Sequence, residues 1–243
     1  MLQSFYNAAL GAQQEMDRLN VHANNIANVN THGYRAEVPN FQALMYGMVN
    51  GIDGAQLPKG AGTYMVTTTT NYTSDALEQT GRKQDYAIEG DGFFALYEPS
   101  TGEVSYTRDG AFTIGEFIET DEEDQPQSVW YLTDGEGRQV LNREGYPIVV
   151  TDPNAEQPVG VFLIQYQDGM QHLDSSRFLA GDKNGAIWMS PAKVHQGYLE
   201  TSNVNLAGEL SKVIESQRAY SYALKMVQTA DEVENTVIGL TNG

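Results

Sequence analysis

Apolar residues recur at alternating spacings of three and four positions at both ends of the chain, a pattern typical of amphipathic helices. At the N-terminus the apolar positions are Leu2, Phe5, Ala9, Ala12, Met16, Leu19, Ala23 and Ile26. Near the C-terminus one stripe runs through Ala219, Ala223, Met226, Ala230, Val233, Val237 and Leu240, and a second runs through Leu206, Leu210, Val213, Tyr220, Leu224 and Val227. We expect a helix at each end, with these side chains forming an assembly interface.

Two packing arrangements are consistent with these stripes. The helices can lie on a central domain as ordinary surface helices, or they can pair with each other and with neighbouring copies as a coiled coil. The N-terminal stripe is rich in alanine, and five asparagines between residues 20 and 30 weaken the helix. Its stability must therefore come from packing, and the small side chains favour a tightly packed bundle.

The middle of the chain has the pattern of an all-β domain. All eight prolines lie between Pro39 and Pro191, and short runs of β-branched and aromatic residues alternate with turn dipeptides. The expected strands are 93–97, 104–107, 111–114, 129–132, 146–150 and 161–166. The clearest turns are Asp109-Gly110, Asp134-Gly135 and Asp168-Gly169, where glycine is expected to supply a positive φ.

These patterns divide the chain into three parts. Residues 1–45 and 196–243 together form a discontinuous helical assembly domain, and residues 81–195 form the all-β central domain. Residues 46–80 contain several glycines and the threonine run 67–70, and we expect a loop that leads into an extended β arm. The predicted fold class is mainly β with a helix at each end, the two helices pairing as a coiled coil.

Charge is distributed in the same way as the predicted elements. The chain has 14 Lys and Arg against 32 Asp and Glu, a formal charge of −18. Residues 1–45 carry −1 and residues 196–243 carry −3, which leaves −14 for residues 46–195. Such an acidic chain repels phosphate backbones, so we expect no nucleic-acid partner. The β domain is expected to be the solvated part.

Sequence motifs for chemistry are missing. With no cysteine, disulfides, thiolate metal sites and cysteine nucleophiles are excluded. We find no nucleophile elbow, no phosphate-binding loop and no zinc-protease motif. The acidic run 121–124 lacks the spacing of a calcium loop and is interpreted as a solvated loop tip. We therefore expect that the protein is not an enzyme and that it has no catalytic, cofactor or metal site.

Single histidines and tryptophans have structural interpretations. His22 and His32 flank the asparagine-rich stretch, and we assign them to a helix surface and a turn. Trp130 and Trp188 fall in strand-like runs, and we expect them to be core or half-buried sheet residues. The first 17 residues contain neither Lys nor Arg and no continuous apolar run, so we expect no cleaved secretory signal and no membrane insertion.

Several segments near the ends and in the middle of the chain contain distinctive motifs. Residues 23–34 read ANNIANVNTHGY and are followed by Phe41-Gln42; residues 196–205 read QGYLETSNVN, with ESQRAY at 215–220 and QTADE at 228–232. The central part contains EGDGFF at 89–94 and YTRDGAF at 106–112. Together these segments resemble the bacterial flagellar basal-body rod and hook protein family. The residues that carry the resemblance are Asn24, Asn25, Asn28, Asn30, Gly33, Tyr34, Gly90, Gly92, Phe93, Phe94, Gln217, Arg218 and Tyr220.

The resemblance implies a structural role. Members of the family are exported unfolded through the flagellar export apparatus and assemble helically, as copies of one chain and with neighbouring rod and hook proteins, into the tube of the basal body. Residues 77–82 and 85–92 are more similar to the proximal-rod pattern than to the distal one, so a proximal-rod subunit is expected. The alternatives are a hook or phage-tail-like tube protein, or an acidic carbohydrate-active β enzyme.

Overall fold

The computed structural model describes residues 2–44, 47–50, 56–60, 62–120, 126–174 and 176–241. The acidic run 121–124, assigned above to a loop tip, lies outside the described residues. The chain divides into two compact units. Met1–Ala27, Glu37–Thr70 and Asn205–Gly243 form the first, which we call the helical unit. Asn28–Ala36 and Asn71–Val204 form the second, which we call the β unit.

The helical unit contains two long helices and two short antiparallel strand pairs. Its elements are α1 (Leu2–Ala27), β1 (Glu37–Ala43), β2 (Gly47–Asn50), β3 (Gln56–Lys59), β4 (Thr63–Thr70) and α2 (Leu206–Thr241). β1 pairs with β4, β2 pairs with β3, and α1 packs against α2, β4 and β1. Both helices occur where the apolar spacing predicts them. Residues 37–43, which we grouped with the helical ends, instead form a strand, because the threonine run in β4 offers a complete ladder to pair with.

The β unit is built around one antiparallel sheet. Its strands are β5 (Leu77–Gln79), β6 (Tyr86–Glu89), β7 (Phe93–Tyr97), β8 (Val104–Thr107), β9 (Thr113–Thr120), β10 (Pro126–Thr133), β11 (Gln139–Val140), β12 (Val161–Ile164), β13 (Gln171–His172), β14 (Arg177–Leu179), β15 (Ile187–Met189), β16 (Lys193–Gln196) and β17 (Tyr198–Glu200). The main sheet has the order β13-β14-β8-β7-β11-β10-β9, and β12 joins β7 to β15. β16 pairs with β6, and β17 pairs with β5.

Strand β7 lies at the centre of the core. Phe94 belongs to one apolar cluster with Phe112, whereas Phe93 belongs to a second cluster with Phe178. Adjacent residues of a strand point to opposite faces, so β7 is covered on both sides. This double burial explains why its sequence is continuously apolar.

Several strand predictions are confirmed and others are not. Strands 93–97 and 104–107 coincide with β7 and β8, whereas the expected strand 146–150 makes only isolated bridges. Gly110 does not have the positive φ that we expected. Glycine is needed at this position because a side chain would not fit. A Cβ there would lie 1.7 Å from the Tyr86 carbonyl oxygen.

The observed fold class is mainly β with a helix near each end of the chain. Neither described helix contains a stretch that is long and apolar enough to cross a bilayer.

Candidate assembly interface

Polar side chains hold the two helices together where α2 begins. The buried carboxylate of Glu209 accepts hydrogen bonds from His22 Nδ1 at 2.7 Å, from Asn25 Nδ2 at 3.2 Å and from Lys212 Nζ at 2.8 Å. Burial raises the pKa of Glu209, but these donors outweigh it, and the net pKa lies below its ordinary value. We call these four residues the Glu209 cluster.

His22 was assigned above to a helix surface, and this assignment is wrong. Its ring is buried against the Glu209 carboxylate. A buried carboxylate requires donors, and the imidazole supplies one from the neighbouring helix. The sequence gives no signal of this contact because the two residues are 187 positions apart.

Contacts along the helices show that they run antiparallel. His22 meets Glu209, Arg18 meets Glu215, and Gly11 lies with Ala219 and Ala223 along one groove of about 350 Å³. Residues nearer the start of α1 therefore contact residues further along α2. Small side chains at this groove allow the helices to approach closely.

The predicted N-terminal stripe is only partly buried. Ala12 is buried, and Ala9, Leu19 and Ile26 are half-buried. In contrast, Phe5, Met16 and Ala23 are exposed, with Met16 at 53%; Leu2 lies in the first turn of α1. The inward face of α1 instead carries the polar residues Gln14, His22 and Asn25.

The predicted residues of α2 divide into two groups. The half-buried group is Val213, Tyr220, Ala223, Val227 and Ala230. The exposed group is Leu206, Leu210, Leu224, Met226, Val233 and Val237. Every residue from 231 to 240 is exposed. The apolar surface that a coiled coil would cover is therefore largely open in the single chain.

Among the motif residues, Asn25 has the most contacts. Its side chain donates to the Glu37 carbonyl oxygen at 2.8 Å and accepts from the Glu37 N–H at 2.9 Å. It thereby fixes the start of β1 against the end of α1. Asn24 and Asn30 are exposed and Asn28 is half-buried, and the Asn28 carbonyl oxygen accepts the Thr31 N–H in the turn that follows α1.

Gly33 and Gly92 occupy positions that exclude a side chain. Gly33 has φ +66° and a Cβ there would lie 2.4 Å from the Arg108 carbonyl carbon; Gly92 has φ +133° and its Cβ would lie 2.5 Å from Val161 Cγ1. Both φ values are in the left-handed region, which favours glycine. The helix ends at Ala27, so Gly33 lies beyond its end and does not terminate it.

The other motif residues lie in different surroundings. Tyr34 is buried beside Val204, and Phe93 and Phe94 are core residues. The Gly90 carbonyl oxygen accepts from Arg108 Nη2 at 2.7 Å. Gln217 and Arg218 are exposed on α2.

A buried ion triad in the β unit was not foreseen from the sequence. Glu200 accepts from Arg35 Nη2 at 2.7 Å and from Arg108 Nη1 at 3.0 Å, and all three side chains are almost fully buried. Burial lowers the pKa of Arg108, which Glu200 opposes and Arg35 reinforces. The triad ties together segments that are up to 165 residues apart.

The two tryptophans are more exposed than expected. Trp130 and Trp188 are each 47% exposed, although both lie in strands as predicted. Neither is a core residue, because each lies in a strand at or next to the edge of the main sheet.

Three family models match the chain in order. Residues 5–35 match the model described as flagella basal body rod protein, and residues 87–124 match the flagellar hook protein FlgE/F/G D1 domain. Residues 195–240 match the C-terminal model of the flagellar basal body rod FlgEFG proteins. Together they include the Glu209 cluster and most of both helices.

Whole-chain relatives agree with these matches. The chain is 30% identical to the flagellar basal-body rod protein FlgG of Buchnera aphidicola, over 96% of this chain and 97% of the relative. It is 26% identical to FlgG of Bacillus subtilis over 99% of both chains, and 30% identical to the rod protein FlgF of Caulobacter vibrioides over 90% of both. Because FlgG is the distal-rod protein, these relatives do not support our expectation of a proximal-rod subunit. The chain belongs to the flagellar basal-body rod protein family, whose members are structural, non-enzymatic proteins of the flagellar basal body.

Proposed function

We propose that this protein is a FlgG-like subunit of the distal rod, which assembles helically through its terminal helices. The observation that carries the proposal is the exposed C-terminal part of α2. Residues 231–240 are all exposed, yet they include Val233 at 50% and Leu240 at 79%. A single chain leaves this apolar surface in water, and a neighbouring subunit would cover it.

Helix lengths explain why this part of α2 has no cover. At about 1.5 Å per residue, α1 is roughly 39 Å long and α2 roughly 54 Å. Because the helices are antiparallel and paired where α1 ends and α2 begins, α2 extends beyond the start of α1 by about 15 Å. α1 does not cover this extending segment, and we propose that other chains supply its apolar partners.

The proposed assembly domain consists of residues 1–45 and 196–243, which contain the two terminal helices. Its exposed apolar residues on α1, such as Phe5 and Met16, would complete a coiled-coil layer with helices of neighbouring copies. Since α1 is rich in asparagine and alanine, its order would increase as subunits pack, which is coupled folding and assembly. Rod and hook proteins next to it in the basal body are the further partners.

Export in an unfolded state is part of the proposal. A chain without cysteine cannot form cross-links that would block threading through a narrow channel. The export apparatus is therefore the proposed transient partner, and the folded contacts described above would form after passage.

The test compares two aspartate substitutions on α2 in a host that lacks the natural gene. Val233→Asp places a charge in the exposed apolar stripe, whereas Gln228→Asp adds the same charge at an exposed polar position of the same helix. We expect Val233→Asp to reduce the chain recovered in purified basal bodies about tenfold or more, since a charge in a packed apolar contact costs more than about 1.4 kcal/mol. Gln228→Asp is expected to assemble normally.

Two results would contradict the proposal. Normal motility and normal incorporation of Val233→Asp would show that this stripe is not an interface. Labelled chain found only at the membrane-proximal end of the rod would contradict the distal assignment while leaving the structural role intact.

A further inference from the structure

Strand β15 is a short, uncharged edge strand of the main sheet. Its three residues Ile187, Trp188 and Met189 are all exposed, each by more than 40%. Within the described part of the chain, its one strand neighbour is β12. An exposed apolar edge is a template for pairing with another strand.

Backbone hydrogen bonds show which groups of β15 are open. The Ser190 N–H donates to the Val161 carbonyl oxygen at 2.8 Å, and the Gln165 N–H donates to the Ala186 carbonyl oxygen at 3.1 Å. Bonding direction alternates along an antiparallel strand. The N–H and C=O groups of Ile187 and Met189 therefore point away from β12, toward the free edge.

Among the strands of the described residues, β9 forms another free edge of the same sheet. The Val150 N–H donates to the Trp130 carbonyl oxygen at 2.7 Å, so the backbone groups of Trp130 point away from β9. By the same alternation, its register partner Glu116 directs its own groups to the open side of β9, and so does Ile118 two residues on. Ile118 is 76% exposed. This edge thus combines free backbone groups with an uncovered apolar side chain.

The two edges differ in charge. Strand β9 contains Glu116 and Glu119 and neither Lys nor Arg. The segment 183–199, which contains β15, has Lys183, Lys193 and no acidic residue, within a domain that is otherwise strongly acidic. Lys193 lies opposite Glu89 in the β16–β6 ladder. The acidic strand β9 and the segment around β15, which carries cations, are complementary in charge.

We propose that β9 of one copy of this chain pairs edge to edge with β15 of the next copy. This contact rests on the proposed function, because it links the β units of subunits that the terminal helices bring together. Two different surfaces meet, so the interface is heterologous, and in a helical rod it would continue from copy to copy rather than closing as a two-fold dimer. Backbone hydrogen bonds, contact of Ile118 with the apolar β15 side chains and the charge difference would all contribute.

Thiol cross-linking tests the contact in assembled rods. The natural chain has no cysteine, so Ile118→Cys and Trp188→Cys introduce the only thiols. With a short bifunctional thiol reagent on purified basal bodies, the double variant should give a ladder of three or more linked chains. Co-expression of the two single variants should give linked pairs and nothing longer. A control that combines Trp188→Cys with Thr101→Cys, at an exposed loop position of the same domain, should give no ladder.

A pair of opposite charges at one site tests the choice of partner strand. Trp188→Glu would face the acidic β9 edge, whereas Trp188→Lys would complement it. We expect about a tenfold lower yield of cross-links through Ile118→Cys and Met189→Cys for the glutamate variant than for the lysine variant, because like charges that face each other across an interface repel. Urea unfolding of the monomers should be equal for the two variants, since residue 188 is half exposed.

The possible outcomes distinguish a failure of the proposed edge contact from a failure of the rod assignment. If the double-cysteine chain is present in basal bodies but links only within one chain, or no more than the control, the edge contact is wrong. If the lysine variant loses as much cross-linking as the glutamate variant, β9 is not the partner. If the unsubstituted chain is absent from basal bodies, the proposed function itself fails.

Discussion

The helical unit and the β unit are stabilised in different ways. Of the 26 buried apolar side chains among the described residues, only Ala12 and Val21 belong to the helical unit, and the other 24 belong to the β unit. The β unit has the apolar core of an independently stable domain. The helical unit has almost none among its described residues, so within the single chain its order depends largely on polar contacts.

The helical unit has buried polar groups where the β unit has an apolar core. Its buried polar side chains are Gln14, His22, Asn25, Glu209 and Ser216. A hydrogen bond contributes only about 1 kcal/mol net, because it replaces hydrogen bonds to water. Such a unit is precise in geometry but marginal in stability.

The largest effect is expected from breaking the ion triad of the β unit. Glu200→Leu leaves Arg35 and Arg108 buried without their carboxylate, and should lower the free energy of unfolding by about 3–5 kcal/mol. Urea unfolding followed by tryptophan fluorescence measures it, since both tryptophans lie in the β unit.

Two companion variants sharpen this result. Glu103→Leu, at an exposed position, should change stability by less than about 0.5 kcal/mol. Adding Arg35→Met and Arg108→Met to Glu200→Leu should recover most of the loss, because the unpaired charges are then gone. A loss below about 1 kcal/mol for Glu200→Leu alone would contradict the role of the triad.

A smaller effect, confined to the other unit, is expected from Asn25→Ala. It removes both hydrogen bonds to Glu37 and one to Glu209, and should cost about 2 kcal/mol. Amide exchange should become faster in α1 while the fluorescence transition of the β unit stays unchanged. Asn20→Ala, at an exposed position of the same helix, is the control. Equal exchange rates in the two variants would show that the Asn25 contacts do not hold the helix.

The smallest effect is expected from acid. The pKa of Glu209 is lower in the folded chain than its ordinary value of 4.5. Its ionised form therefore stabilises the helical unit above pH 4.5, and this contribution is lost as the pH falls through the lowered pKa. Helical circular dichroism should decrease in this range before the tryptophan signal changes. Glu209→Gln should remove this part of the pH dependence, and an unchanged profile would contradict the assignment.

The sequence allowed the elements with a strong period to be predicted. The spacing of Leu2 to Ile26 predicted α1, and the apolar run 93–97 predicted β7, because each pattern is local and repeats several times. Short strands such as β5 and β17, at three residues each, have no such pattern. Their existence depends on a partner from a distant part of the chain, so they could not be predicted.

The face of α1 that turns inward also could not be predicted from the sequence. Periodicity placed Met16 on the packed face, but Met16 is exposed while His22 and Asn25 are buried. These polar residues turn inward because Glu209 and Glu37 complete their hydrogen bonds. The same holds for the ion triad, whose partners lie on three separate segments. Composition shows that charges are present, but not which of them meet.

The antiparallel pairing of α1 with α2 determines the order in which the parts of the molecule can form. Glu209, the partner of His22 on α2, follows 187 residues later in the chain, and closing so long a loop is slow compared with forming local contacts. Nearly all of the β unit comes from the continuous stretch 71–204 and can fold before that loop closes. We therefore expect the helices that are proposed to join subunits to become ordered after the β unit, whether folding begins from the free chain or after export.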